Sequence, residues 1–112
     1  MEMGEVKVTW SKTDKWTVEV DNVTPEGESW CYDAWVYKDG KFVENSYIGK
    51  EATYGEKVLL DVANVIAVHG DGKYTVEVSV NHYNQSNNQW IITHEGLSDA
   101  RAYVASAKLA IP

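Results

Sequence analysis

The residues best suited to ligand chemistry are concentrated between positions 82 and 94. This stretch holds two imidazoles, two aromatic rings and five amides: His82, Tyr83, Asn84, Gln85, Asn87, Asn88, Gln89, Trp90 and His94. Sugars present hydroxyl groups to amides and flat C–H faces to aromatic rings, so this composition has the chemistry of a carbohydrate contact. The structural alternative is that the amides solvate a long hairpin while Trp90 and Ile91 fold back onto a sheet.

A second pair of aromatic side chains lies at Trp35 and Tyr37. The two residues are separated by one position, so on an extended segment both rings belong to the same face. Neighbouring rings on a sheet face can form a binding platform, and the candidate ligand residues are therefore Trp90, Tyr83, Asn84, Trp35 and Tyr37. Cross-strand packing is the structural alternative for this pair.

Sequence signatures of catalysis and of metal binding do not occur in the chain. It contains no HExxH, P-loop, GxSxG or GxGxxG motif. His69, His82 and His94 do not lie at recognised ligand spacings with Asp71 or Asp99. The Ser and Cys nucleophiles have no identifiable base. We therefore expect a protein that is not an enzyme and that carries no metal and no cofactor.

The charge balance argues against nucleic acid as a partner. The 112 residues include 10 Lys and Arg against 17 Asp and Glu, which gives a net charge of −7 at pH 7. An acidic chain is repelled by a phosphate backbone. No apolar run approaches the roughly 20 residues that a membrane-spanning helix needs. We therefore expect neither nucleic-acid binding nor membrane insertion.

Two features bear on the cellular compartment. Cys31 is the single cysteine, so no internal disulfide can form, and we interpret it as a small half-buried hydrophobic residue. The opening Met-Glu-Met-Gly-Glu has neither the basic start nor the apolar core of a signal peptide. The chain is then either cytoplasmic or a domain of a longer exported protein.

Alternation of apolar and polar residues predicts short β-strands along most of the chain. The clearest segment is 74–80, which follows a Gly-Asp-Gly turn. The Asp39-Gly40 pair predicts a hairpin turn, and residues 61–68 allow a turn of helix. Further alternating segments lie at 6–10, 16–20, 31–37, 58–62 and 103–111. About seven short strands without a long amphipathic helix predict an all-β, two-sheet antiparallel β-sandwich.

In this order, several segments resemble a fibronectin type III domain of the kind found in bacterial surface and secreted proteins. Residues 32–41, with the sequence YDAWVYKDGK, resemble the third strand of the family and the hairpin after it. Residues 59–62 followed by 72–78 resemble its fifth and sixth strands, and 106–111 is similar to its closing strand. The resemblance implies one fibronectin type III-like domain over residues 1–112, with a flexible start at 1–4.

The resemblance also implies structural roles for individual residues. Tyr74 falls at the sixth-strand position whose hydroxyl ties down the preceding corner, and Gly72 opens that strand. The family places a core tryptophan on the second strand, and both Trp16 and Trp10 compete for that role here.

The chain departs from the family between the sixth and seventh strands. About twenty residues separate Val80 from Ala100, where the family has a short loop. A structureless loop of that length is improbable in a compact domain. We therefore expect residues 81–83 to extend the sixth strand, 85–88 to form a turn and 89–94 to return beside it. The enlarged hairpin at 81–99 is the least generic part of the protein.

The family resemblance implies a non-catalytic structural or interaction module, a spacer or protein-binding unit of a larger bacterial surface or secreted protein. The alternative is a carbohydrate-binding module that uses the aromatic and amide side chains of the 81–99 insertion. A stand-alone intracellular protein is the third hypothesis. The expected partners are neighbouring domains of a longer chain, or a protein or glycan ligand, and the isolated domain is expected to be a monomer.

Overall fold

The structure, a computed structural model, describes residues 3–12 and 15–105. Within these residues it contains ten β-strands and one short helix, α1 (Ala63–His69). The strands are β1 (Gly4–Glu5), β2 (Val8–Lys12), β3 (Trp16–Val20), β4 (Ser29–Lys38), β5 (Lys41–Phe42), β6 (Ile48–Thr53), β7 (Val58–Asp61), β8 (Gly72–Asn84), β9 (Gln89–Leu97) and β10 (Arg101–Tyr103).

The strands form two sheets that enclose one core. The larger sheet has the order β1-β9-β8-β4-β5, with β6 also paired to β4 and β10 paired to one end of β8. The smaller sheet has the order β2-β3-β7. This arrangement confirms an all-β sandwich. One correction concerns strand direction, because β1 pairs with β9 in parallel whereas the other described pairs are antiparallel.

The alternation along the strands directs one face of each sheet into the core. On β8, Val76, Val78 and Val80 are fully buried, and Val18 and Val20 of β3 are buried in the same cluster. Burying a side chain of this size stabilises the fold by about 1.5–3 kcal/mol relative to exposing it. The face of the larger sheet turned away from the smaller sheet is called the outer face below.

Both tryptophans that competed for the core position are buried. Trp10 of β2 and Trp16 of β3 pack edge to face, with ring centroids 5.2 Å apart and an interplanar angle of 87°. The indole N–H of Trp10 donates to the carbonyl of Asp99 at 2.8 Å, and the Trp16 ring lies 5.9 Å from that of Tyr103. The core therefore uses two tryptophans on adjacent strands.

Tyr74 closes the corner between α1 and β8. Its side chain is fully buried, and its hydroxyl donates to the carbonyl oxygen of Gly70 at 2.5 Å. Gly70 has a φ of 75°, a conformation that favours glycine. Burial, followed by the negative charge of Asp39, raises the pKa of Tyr74. At Gly72 a Cβ would lie 2.8 Å from Cε of Lys38, so the strand begins at a close approach.

The hairpin predictions agree with the structure. Asp39 and Gly40 have φ values of 50° and 79° and join β4 to β5. In the insertion, β8 continues to Asn84, residues 85–88 turn, and β9 returns antiparallel beside it. The insertion is therefore an extension of the larger sheet.

Strand β6 was not predicted from the sequence. Its positions 48, 50 and 52 are the less exposed ones, but Lys50 stands between Ile48 and Ala52, so no apolar alternation marks the strand. Pairing with β4 over the register Ser29–Ala34 holds it in the larger sheet. Tertiary pairing rather than local pattern determines this element.

The two ends of the chain differ in part from the expectations. Gly4, placed in the flexible start, already pairs with His94 in β1. Of the alternating segment 103–111, β10 contains Tyr103 and pairs with the start of β8, whereas Ser106–Ile111 lies outside the described residues. Within the described residues, no helix combines the length and the hydropathy needed to cross a bilayer.

Candidate functional site

A β-bulge in β9 determines which side chains of the insertion reach the outer face. The regular pairing of β8 with β9 shifts between positions 80 and 81, where Thr93 is the extra residue. Glu95 is on the outer face, and in a regular strand residues two positions apart share a face. Trp90 is five positions from Glu95, so a regular strand would place it on the inner face. Because of the bulge, Ile92 and Trp90 lie on the outer face instead. Bulges commonly redirect side chains in this way.

The redirected residues line a shallow depression on the outer face, called the outer-face groove. Its volume is about 400 Å³, which lies within the ~300–1,000 Å³ typical of small-ligand sites. The residues that line it come from β4, β8, β9 and the segment before β6: Cys31, Asp33, Trp35, Tyr47, Ser79, Asn81, Trp90 and Ile92. The groove therefore brings the insertion together with the framework strand that carries Trp35.

The floor of the groove is organised around the carboxylate of Asp33. Its Oδ1 accepts a hydrogen bond from the Tyr47 hydroxyl at 2.7 Å, and its Oδ2 accepts one from the Asn81 amide at 2.7 Å. Asn81 is only 7% exposed, so this partner is held in place by packing. The hydrogen bond to Asp33, together with burial and the negative charge, raises the pKa of Tyr47 to about 12.

Aromatic rings form the walls of the groove. Trp35 and Tyr47 contact each other with centroids 5.8 Å apart and planes inclined at 50°. Trp90 is 59% exposed and packs its edge against Tyr83, its cross-strand neighbour, at 5.3 Å. An exposed tryptophan supported by a second ring presents a stable flat surface to a ligand.

Cys31 lies in the groove without the environment of a reactive thiol. It is half-buried, and burial together with the negative charges of Asp33 and Glu51 raises its pKa. The thiolate is the nucleophilic form, so a raised pKa disfavours nucleophilic attack by Cys31 at neutral pH.

Among the ligand residues suggested by the sequence, Trp35 and Trp90 both line the groove. Tyr83 is on the outer face beside Trp90, is 42% exposed, and donates its hydroxyl to Asn88 Oδ1 at 2.9 Å. Tyr83 and Trp90 are therefore neighbouring exposed rings on the outer face.

Asn84 and Tyr37 do not line the groove. Asn84 Oδ1 accepts the backbone N–H of Ser86 at 2.9 Å and so shapes the hairpin turn. Tyr37 is on the outer face but contacts Phe42, with centroids 5.8 Å apart, and donates to Glu77 at 3.2 Å. The charge of Glu77, followed by burial, raises the pKa of Tyr37.

Sequence reasoning missed Tyr47, Asp33, Asn81 and Ile92 as groove residues. Asp33 alternates with the buried residues of β4, so its outward direction could be inferred, but its two hydrogen-bond partners could not. Tyr47 enters the site only because β6 pairs with β4, and β6 has no sequence signature. Ile92 depends on the bulge at Thr93, which no glycine or proline marks.

Two of the three histidines, His82 and His94, pack against Trp30. The His82 ring stacks on Trp30 with centroids 4.8 Å apart and planes inclined at 15°, and His94 lies 6.4 Å from the same indole. His94 Nδ1 is 2.8 Å from the hydroxyl of Thr93. Among residues 3–12 and 15–105, no three His, Cys, Asp or Glu side chains are grouped so that they could hold a metal ion.

Comparisons of the chain with protein-family models, with curated proteins and with solved structures found no match.

Proposed function

We propose that this protein is a non-catalytic interaction module and that the outer-face groove is its binding surface. In this proposal the fold is of the fibronectin type III kind, and the domain is one unit of a larger bacterial surface or secreted protein. The two-sheet arrangement and the bond from Tyr74 to Gly70 support the fold type. The raised pKa of Cys31 supports binding over catalysis by this thiol.

The observation that carries the proposal is the convergence of three rings on a fixed polar floor. Trp35, Tyr47 and Trp90 come from separate segments, and Asp33 in the same groove is held by two hydrogen bonds. Tryptophan and tyrosine are enriched among the residues that contribute most to protein–protein affinity. The Asp33 carboxylate, held in place by its two hydrogen bonds, can orient a ligand by a directional polar contact, which aromatic rings alone do not provide.

Carbohydrate binding is the second candidate, and the same groove favours it. Trp90 and Trp35 can stack on sugar rings, while Asp33 and Asn81 can reach hydroxyl groups at the floor. The lining residues of the groove are the specific support for this candidate.

A selection experiment with a matched control tests the binding surface. A displayed peptide library and a panel of common polysaccharides are screened against the wild-type domain, and every binder is re-tested on Trp90→Ala and Tyr54→Ala. Tyr54 is 62% exposed and lies outside the groove, so its removal controls for loss of exposed aromatic area. We expect binders that lose about tenfold or more in affinity with Trp90→Ala, as at interface hot spots, and little with Tyr54→Ala.

The opposite result would reject the groove as the binding surface. That result is a set of binders that Trp90→Ala leaves unchanged, or the absence of any binder from either screen. The wider proposal has a separate test, which is the parent open reading frame. A frame that ends at both limits of these 112 residues would overturn the role as a unit of a larger chain.

A further inference from the structure

We infer that the outer-face groove receives a positively charged segment of a partner protein. Lysine or arginine side chains of that segment would be held between the tryptophan rings and the carboxylates of this face. The inference rests on the proposed function of the groove as a binding surface, and it names the chemistry of the partner.

Carboxylates are distributed across the outer face on four neighbouring strands. Asp33 of β4 pairs with Ser79, and Ser79 pairs in turn with Glu95 of β9. Glu51 of β6 pairs across the strands with Cys31, which lines the groove. Glu77 is two residues before Ser79 on β8 and so shares its face. Because paired strands are about 4.8 Å apart, these side chains form one acidic field.

A second depression is lined by Glu77 and Glu95 of this acidic field. It has a volume of about 490 Å³ and is called the acidic hollow. Its lining residues are Met3, Gly4, Glu5, Val6, Glu77, Glu95, Gly96 and Leu97. Glu5 and Glu95 are paired across β1 and β9. In the described part of the chain, neither the groove nor the hollow is lined by a lysine or an arginine.

The described ion pairs of the protein lie elsewhere. They join Lys15 with Asp61, Lys50 with Glu56, and Lys57 with Glu19. Asp33, Glu51, Glu77 and Glu95 take part in none of these pairs. Like charges on one face repel one another, so a bound cation would lower the electrostatic energy of the folded domain.

The rings beside these carboxylates add a second attraction for cations. The face of an indole attracts ammonium and guanidinium groups through the quadrupole of the ring. A carboxylate on the same face attracts the same groups by its charge. Trp35, Tyr47 and Trp90 line the same groove as Asp33. A neutral sugar carries no positive charge and so would form no ion pair with the carboxylates of the acidic field. A second copy of this chain would bring two acidic faces together, so repulsion disfavours it.

The test uses a short extended cationic peptide, acetyl-Gly-Arg-Gly-Arg-Gly-Arg-Gly-amide, and a control peptide with glutamine in place of arginine. Binding is measured by calorimetry and by tryptophan fluorescence at low ionic strength. We compare Glu77→Gln/Glu95→Gln with Asp21→Asn/Glu26→Gln. Both double variants remove two negative charges, but Asp21 and Glu26 lie in the exposed loop before β4.

The arginine peptide is expected to bind the wild type, and the glutamine peptide is expected not to bind. Glu77→Gln/Glu95→Gln should weaken binding about three- to tenfold, as two surface ion pairs would. Trp90→Ala should weaken it about two- to tenfold through the lost cation–π contact. Asp21→Asn/Glu26→Gln and Tyr54→Ala should change it less than twofold.

Three outcomes would overturn the inference. Equal weakening by both charge variants would mean attraction to the net negative charge alone. Equal binding of the glutamine peptide would remove the role of positive charge. A neutral polysaccharide that requires Trp90, with no binding of the arginine peptide, would replace the cationic segment by a glycan and leave the groove as the binding surface. If Trp90→Ala affects no ligand of either class, the proposed function fails as well.

Discussion

The two faces of the larger sheet are built from the same strands and carry opposite chemistry. Toward the core, β8 places Tyr74, Val76 and Val78, all fully buried. On the outer face the same strand places Glu77 and Asn81, which belong to the acidic field and to the groove. The inner residues determine the fold by packing, and the outer residues can therefore vary with the ligand without loss of the core.

Two tyrosines show how the faces use the same side chain differently. On the inner face, the buried hydroxyl of Tyr32 donates to Asn22 Oδ1 at 2.8 Å and accepts the backbone N–H of Val23 at 2.8 Å. These bonds fix the loop before β4 against the core. On the outer face, Tyr47 is 57% exposed and its hydroxyl orients Asp33 in the groove. The first tyrosine stabilises the fold, and the second shapes the site.

The largest expected difference between the faces is in stability. Tyr32→Ala should lower the free energy of unfolding by about 3–5 kcal/mol, because it leaves a cavity where a fully buried ring was. Trp90→Ala should cost only about 0.5–1.5 kcal/mol, the value of an aromatic pair, since Trp90 is mostly exposed. Urea unfolding monitored by circular dichroism measures both. Similar losses for the two variants would mean that the outer rings belong to the core.

The inner face was the more predictable of the two from the sequence. Alternation identified the buried side of β8 and β4, and the Asp39-Gly40 pair identified a turn, because both patterns are local. The strand extension beyond Val80 and the return of β9 followed from the improbability of a long unstructured loop. Residues 106–111 lie outside the described residues, so the closing strand stays a prediction.

The outer face was predicted only in part, for physical reasons. Trp35 and Trp90 were recognised by residue type, but their meeting in one groove depends on the bulge at Thr93 and on the pairing of β6 with β4. Neither feature has a local sequence code. Asn84 was chosen for its amide, which instead bonds to the backbone of the turn. Short polar side chains next to turns often make such local bonds.

A smaller difference is expected when one hydroxyl is removed from each face. Tyr74→Phe loses the bond to the Gly70 carbonyl and should cost about 0.5–1.5 kcal/mol. Tyr37→Phe loses an exposed bond to Glu77 and should change stability by less than about 0.5 kcal/mol. Both substitutions keep the ring, so denaturation isolates the hydroxyl. If Tyr74→Phe left the free energy of unfolding unchanged, the hydrogen bond from Tyr74 to Gly70 would not stabilise the fold.

The smallest effect is expected for the titration of Tyr47, which takes place far above neutral pH. Its pKa is raised from 10.0 to about 12 because the phenol donates to the Asp33 carboxylate. A raised folded-state pKa gives a stabilisation that is fully present below pH 10 and is lost as the pH rises through 12. The pKa values of Tyr37 and Tyr74 are raised as well, so tyrosinate absorbance should show several late steps during an alkaline titration. Tyr47→Phe should remove the step near pH 12.

Asp33→Asn supplies the control for this titration, because it keeps the shape of the floor and removes the charge. The Tyr47 step should then move back toward 10, since both the ionic acceptor and the negative charge are gone. If the step near pH 12 is unchanged in Tyr47→Phe, another tyrosine is its source and the raised pKa of Tyr47 is contradicted. If the step moves only in Asp33→Asn and not in Glu77→Gln, the polar floor of the groove acts as a local unit, distinct from the general charge of the outer face.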